Sequence, residues 1–360
     1  MVREKITTPQ FFVMLFVSRV VVTMGLNART LGGENMVEAV FSYVLAMLLG
    51  LLVSLPIWRL TKKYPGLPIS EAAVQTMRGA GKVVAVVYLL YFVCVNAASL
   101  GMFYLFLLDA VNPEFSAPLA MTAALAVAVY GAYRGIETVA RCAACVFAIL
   151  LVSAGLVFGI VAARFEPENL MPLFAQGPGQ TVTGMWLFLS RTSIFADLAV
   201  LLPFVKGKRG RGFLGWAGGT SIFIGVLLLL IAGCLGPYAA TQNFPVYVLS
   251  SITEVRSLQR LDAVFVGVWM MGLVIKAACD LYACRVCVFT LCGGQVKKYS
   301  VIPLGALILL LAFLMVEFQS VQALFVNTGF LLCGTLLTGA VLPLLVLLIG
   351  ALRGRKGERA

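Results

Sequence analysis

The feature that most constrains this chain is a series of apolar runs, each about as long as a bilayer is thick, with no alternation of apolar and polar residues. Ten can be delimited, at 10–31, 36–57, 83–108, 117–133, 141–163, 182–204, 213–236, 262–291, 301–316 and 321–350. About 20 consecutive apolar residues span hydrocarbon as a helix, whereas the strands of a membrane barrel are shorter and alternate. Composition agrees: 61% of the 360 residues are hydrophobic and 12% charged, against about a half and a quarter in soluble domains. The fold class is therefore all-α polytopic membrane protein, with one transmembrane domain over 1–360. The last run is long enough to tilt or overhang. Val2–Gln10 is polar and no small-residue cleavage site follows the first run, so no cleavable signal peptide is expected.

Charge sets the orientation. The net charge of +12 would suit nucleic acid if it were clustered, but the bases lie in short loops between spans. With the N-terminus cytoplasmic, 19 of the 27 lysines and arginines fall in one set of polar segments. The opposite set holds four, Arg29, Arg164, Arg256 and Arg260. Cytoplasmic loops carry the positive excess, so both termini are placed in the cytoplasm, as an even number of spans requires. No nucleic-acid partner is expected.

The chain has no histidine, which removes imidazole metal sites, a Ser-His-Asp triad and an imidazole relay. Nine cysteines lie mostly in apolar runs. Cys142/Cys145 and Cys284/Cys287 have CxxC spacing, and they read as small buried hydrophobes before metal or redox pairs. No metal, cofactor or enzymatic motif is expected. Ser70–Lys82 reads as a short interfacial helix with Ser70 as its N-cap. Gln242–Leu261 reads as a re-entrant or surface helix, and Glu166–Gly179 as a turn-filled loop. Trp186, Trp216 and Trp269 lie near span ends or packing faces, with interface anchoring the default reading for Trp.

One run differs from the others. Gly184–Gly212 is apolar enough to span, yet holds Arg191 and Asp197 beside the helix-loosening Ser190–Ser193 (SRTS), and ends at Pro203 and a basic loop. Charge inside hydrocarbon marks a functional site by default, and a span that loosens there is the pattern of a discontinuous transporter helix. Ten spans divide into inverted halves, about 6–165 and 180–352, in which the first and sixth correspond. Met14–Arg19 (MLFVSR) and Trp186–Arg191 (WLFLSR) give that pairing mild support. Each span expected to break then carries an arginine, Arg19 or Arg191, and Gly25 with Asn27 supplies the flexible point of the first.

Further polar groups belong to the same picture. Asp197 carries a proton, pairs with Lys276, or forms a structural ion pair. Lys276 and Asp280 share a helix face at i, i+4, as a local pair or with the lysine standing in for a coupling cation. Asn96, Ser99 and Tyr104 line a pocket or pack across helices. Arg260 and Asp262 read as structural.

The motifs Ile6–Gln10 (ITTPQ), Gly135–Arg141 (GIETVAR), Asn169–Pro172 (NLMP) and Phe195–Val205 (FADLAVLLPFV) follow in order. So do FPVYVLSSI, QRLDAVFVGVW and IKAACDLY within Phe244–Tyr282. Through them the chain resembles the endospore germination permease family, the B subunit of spore germinant receptors, in the amino acid/polyamine/organocation transporter superfamily. It departs from that family in lacking a proline in VVTMGLNART, in Arg19, and in having Asp197 where glutamate is commoner. The resemblance implies a LeuT-like 5+5 inverted repeat and a midplane pocket for a small amino acid or similar germinant. It also implies A-type and lipoprotein C-type partner subunits in the spore inner membrane or bacterial cell membrane.

The expected function is a non-enzymatic germinant sensor; the alternative is a proton-coupled amino-acid permease. The expected ligand contacts are Arg19, Gly25, Asn96, Ser190 and Arg191, and the expected ion or proton coupling residues are Asp197, Lys276 and Asp280. Two arginines beside half-helix ends suit a ligand with a free carboxylate.

Overall fold

The computed structural model describes residues 5–25, 36–111, 116–174, 177–252 and 261–357. In hydrocarbon a backbone must satisfy itself, and helices do so within one segment. Accordingly, the described regular structure is helical apart from two short strands, β1 (Ile6–Thr7) and β2 (Val205–Lys206), which pair in parallel. That pairing brings the N-terminal segment beside the basic loop after the sixth run.

The helices are α1 (Thr8–Met24), α2 (Glu38–Lys63), α3 (Ile69–Met77), α4 (Lys82–Phe106), α5 (Ala117–Arg134), α6 (Ile136–Val161), α7 (Pro178–Ser190) and α8 (Ile194–Leu201). They continue as α9 (Arg209–Leu235), α10 (Pro245–Ser251), α11 (Leu261–Leu291), α12 (Val301–Glu317), α13 (Gln319–Val326), α14 (Thr328–Leu336) and α15 (Leu342–Gly357). Eight described segments are long and apolar enough to cross a membrane. Two shorter or less apolar helices, α1 and α5, occupy the first and fourth runs. The chain is an all-α polytopic membrane protein. Large apolar side chains exposed on α2 and α6, such as Leu52 and Val152, form a surface suited to lipid.

Local chemistry explains the starts and stops. Thr7 and Gln10 form a capping box at the start of α1, with Pro9 in the first turn, so donors that would be orphaned are satisfied. α1 ends at Gly25; Asn27 and Arg29 lie outside the described residues, as do Arg256 and Arg260. α11 is the internal column, packed against α1, α4, α5, α6 and α12. Its contact with α1 needs Gly272, because a Cβ there would lie 2.1 Å from Val21 Cγ2.

Four expectations are corrected. The tenth run is not one helix: it breaks at Asn327, which accepts from Phe330 N and caps α14. A π turn at Leu337–Val341 then joins α14 to α15. Ser70 is no N-cap; Pro68 holds that place, and the buried Ser70 hydroxyl bonds Thr290 Oγ1 of α11 at 2.9 Å. The helix is thus docked on the bundle through α11. Trp216 and Trp269 are buried rather than anchoring, the latter among Phe103, Phe106, Phe244 and Phe265. Cys284 and Cys287 are buried as expected, but Cys142 and Cys145 are exposed on α6.

Candidate functional site

Among the eight described segments long and apolar enough to cross a membrane, the sixth run is the most enclosed. Of its most apolar window 94% is buried, against 17% for Ile136–Arg164, so a polar break here lies inside the bundle. The helix stops because Ser190, Thr192 and Ser193 offer side-chain alternatives to the backbone ladder. Arg191 takes a non-helical conformation, φ −96° and ψ 59°. Helix resumes at Ile194, with Asp197 in the first turn of α8, where the dipole favours a carboxylate.

The last carbonyls of a helix have no intrahelical donor, and here they face protein instead of water. Arg19 of α1 supplies two of the missing donors, Nη1 to Arg191 O and Nη2 to Phe188 O, each at 3.0 Å. Its Nε donates to Tyr43 OH at 3.5 Å. Thr335 Oγ1 donates to Ser190 O at 3.1 Å, and Tyr91 OH donates to Thr192 O at 2.8 Å. A positive guanidinium at the negative end of α7 adds a favourable charge–dipole term.

Beside the break is a cavity of about 70 Å³. It is several-fold larger than the roughly 10–15 Å³ that one water needs by the same measure. Its wall is formed by Val21, Val22 and Gly25 of α1, Val95, Ala98, Ser99 and Met102 of α4, and Ser190–Ser193 of the break. Trp269, Leu273 and Lys276 of α11, with Phe325, Val326 and Leu331, complete it. Gly25 brings α1 close to Trp269; a Cβ there would be 3.1 Å from the indole ring.

Two cations reach this cavity. Arg191 bonds Val326 O through Nη2 at 3.3 Å, and its Nε is buried with no partner. No ion pair to it is found among the described residues. Lys276 Nζ bonds Asp280 Oδ2 at 2.7 Å, with both side chains 1% exposed. An ammonium has three donors, and this is the one bond made by Lys276 among the described residues. Deeper in, Ser193 Oγ lies 3.1 Å from Asp197 Oδ2 and 3.4 Å from Asp280 Oδ1. Cys279 Sγ lies 3.8 Å from Asp197 Oδ1.

The predicted residues therefore divide. Gly25, Ser190, Arg191 and Lys276 meet at the cavity, and Asp197 and Asp280 lie behind it through Ser193. Arg19 is placed otherwise than expected. Its donors are taken by Phe188 O of α7, Arg191 O of the break and Tyr43 OH of α2, and it borders a smaller gap of about 20 Å³. Asn96 is fully buried with neither side-chain polar atom bonded, and it does not border the cavity at the break. Ser99 does, whereas Tyr104 packs edge-on against Phe313. Sequence reasoning missed Tyr91, Thr335, Cys279, Trp269 and the Phe325–Val326 roof. For the roof a signal was present, since Asn327-Thr328-Gly329 is a capping sequence inside an apolar run.

Asp197, Cys279 and Asp280 bring two carboxylate oxygens and a thiol within 4.8 Å. The Lys276 ammonium already stands on Asp280, supplying the positive charge that an ion would bring and repelling one. The arrangement suits binding of a small anionic or zwitterionic molecule beside a buried acid pair.

The family model described as spore germination protein matches residues 5–320. Spore germination protein KB of Bacillus subtilis (strain 168) is 24% identical over 324 residues, which cover 87% of this chain and 85% of that protein. The family match ends two residues into α13, so the rest of α13 and all of α14 and α15 lie beyond it.

Proposed function

The chain belongs to the spore germination protein family, and on that premise we propose that it is the permease-like B-type subunit of a germinant receptor. It binds a small amino acid or related germinant in the cavity at the α7–α8 break. The observation that carries this is Arg191: a guanidinium in the break, bordering the cavity, with a buried unpaired Nε and no carboxylate partner among the described residues. A buried unpaired donor is costly, and a ligand carboxylate would satisfy it with a charge-assisted contact. Lys276 borders the same space and adds attraction.

In this reading the ten runs form a LeuT-like inverted repeat with broken first and sixth spans and cytoplasmic termini. The protein assembles with A-type and C-type receptor subunits in the spore inner membrane, and it is not an enzyme. The test is thermal stabilisation of the purified protein across an amino-acid panel, each with its methyl ester. The acid should stabilise and the ester should not; equal effects would remove the carboxylate contact.

A second reading, a proton-coupled amino-acid permease, is favoured by the buried Asp197–Ser193–Asp280–Lys276 cluster next to the cavity. Uptake of labelled amino acid by proteoliposomes holding this chain alone would select it.

A further inference from the structure

The cluster behind the cavity has a hydrogen that its geometry does not account for. Ser193 Oγ is within hydrogen-bond reach of both Asp197 Oδ2 and Asp280 Oδ1. A hydroxyl carries one proton and donates once, and ionised carboxylates only accept. The single Ser193 proton either splits between two acceptors or serves one of them, and both contacts are full two-centre hydrogen bonds when one acid is protonated and donates to Ser193. Charge leads to the same place. Asp197, Asp280 and Lys276 are all buried to within 1% exposure. Two carboxylates against one ammonium leave a net negative charge in a medium that resists it.

Other groups nearby do not supply the missing positive charge or the missing hydrogen. Among titratable groups close enough to interact with the two acids are Tyr91 of α4, and Cys279 and Cys284 of α11. Tyr91 gives its proton to Thr192 O, and the Cys279 thiol is directed at Asp197 Oδ1. Arg19 and Arg191 are bonded to backbone carbonyls instead.

We propose that Asp197 and Asp280 share one proton through Ser193, and that Lys276 links this proton to the charge of whatever occupies the cavity. Lys276 holds Asp280 as the carboxylate, so the proton rests on Asp197. The chain of bonds runs from Asp197 Oδ2–H to Ser193 Oγ, from Ser193 Oγ–H to Asp280 Oδ1, and from Lys276 Nζ to Asp280 Oδ2. An anionic group entering the cavity competes with Asp280 for the ammonium. As Asp280 loses that contact, the Asp197 proton moves through Ser193 to Asp280, and a proton from solvent replaces it on Asp197. The ligand's carboxylate and the proton arrive together, so the Lys276–Asp280–Asp197 cluster and the carboxylate beside it gain no net charge. The linkage sign follows: binding takes up a proton, so affinity for the anion rises as pH falls, by up to about tenfold per pH unit for one proton. This coupling rests on the reading of the cavity as a carboxylate site; the shared proton does not.

The experiment is infrared spectroscopy of the purified full-length protein at pH 7, reading the carbonyl stretch of buried protonated carboxyls. One such band is expected, lost in both Asp197→Asn and Asp280→Asn because the remaining acid then pairs with Lys276. Ser193→Ala should shift the band rather than remove it. In Lys276→Gln, where Asp280 has no ammonium, the band should roughly double. Glycine is the probe for the cavity: its binding should take up a proton in the parent protein and none in Asp197→Asn. A parent protein without the band overturns the proposal, as does a band unmoved by both aspartate variants. A stoichiometric bound metal ion in place of the band overturns it too. Glycine bound without proton uptake overturns the coupling. If glycine fails to bind while the band is present, the amino-acid reading of the cavity falls. The link through Lys276 is then decided by Lys276→Gln: a doubled band upholds it and an unchanged band overturns it.

Discussion

Arg19 and Arg191 end hexapeptides that agree at four of six positions, MLFVSR and WLFLSR, and are put to opposite uses. Arg19 sits in a helix that continues to Met24. Its side chain crosses to α7 and closes the carbonyls left open there. Arg191 is itself the residue at which α7 stops, and its side chain borders the cavity with its buried Nε unmatched. The difference teaches that a buried arginine's role follows from which backbone is broken. The arginine opposite a break becomes its cap, and the arginine within it is left over for a ligand.

This contrast can be broken by substitution, and the largest effect should come from Arg19→Ala. Losing two charge-assisted bonds to buried carbonyls should cost roughly 3–6 kcal/mol of stability, seen as a large fall in melting temperature. Ligand affinity in whatever remains folded should change little. A variant that melts like the parent but no longer binds would reverse the roles assigned to the two arginines.

Arg191→Ala should do the opposite. Affinity for a carboxylate ligand should fall by about 2–5 kcal/mol, as for truncating one partner of a buried charged contact, while the melting temperature without ligand holds. Arg191→Lys should recover part of the binding, because an ammonium cannot make the planar two-point contact. If Arg191→Ala unfolds the protein and neutralising Asp197 or Asp280 restores it, Arg191 belongs to an ion pair and not to the ligand.

Thr335→Val sharpens the comparison on the capping side. It removes the donor to Ser190 O and should cost about 1–3 kcal/mol for the carbonyl left unsatisfied, adding to the loss in Arg19→Ala. Binding without a stability change would show that the break is capped chiefly by Arg19.

The smallest effect should come from Gly25→Ala. Its φ of −86° suits any residue, so the cost is contact alone: a methyl 3.1 Å from Trp269. Stability should fall by about 1 kcal/mol or less, with a few-fold loss of affinity as the cavity narrows. A large stability loss would mean that the α1–Trp269 contact belongs to the core more than to the site.

Much was legible because it is local. Helical period alone put Lys276 and Asp280 on one face, and their 2.7 Å bond needs nothing beyond α11. The SRTS run inside an apolar span announced the interruption, which falls there. The apolar runs carried the all-α membrane architecture, because the bilayer acts on each segment by itself.

What tertiary structure decided is whatever joins residues far apart in the chain. Composition could not say that the carbonyls of one break are met from α1, α4 and α14, through Arg19, Tyr91 and Thr335. Nor could it say that Asp197 and Asp280 come to a common serine although they are far apart in sequence, or that Asn327 interrupts the last run so that Val326 meets Arg191. Each of these pairings satisfies a buried polar group that no neighbour in sequence can reach. The partner is then fixed by which helices pack together, and apolar runs of similar length and composition do not encode that choice one segment at a time.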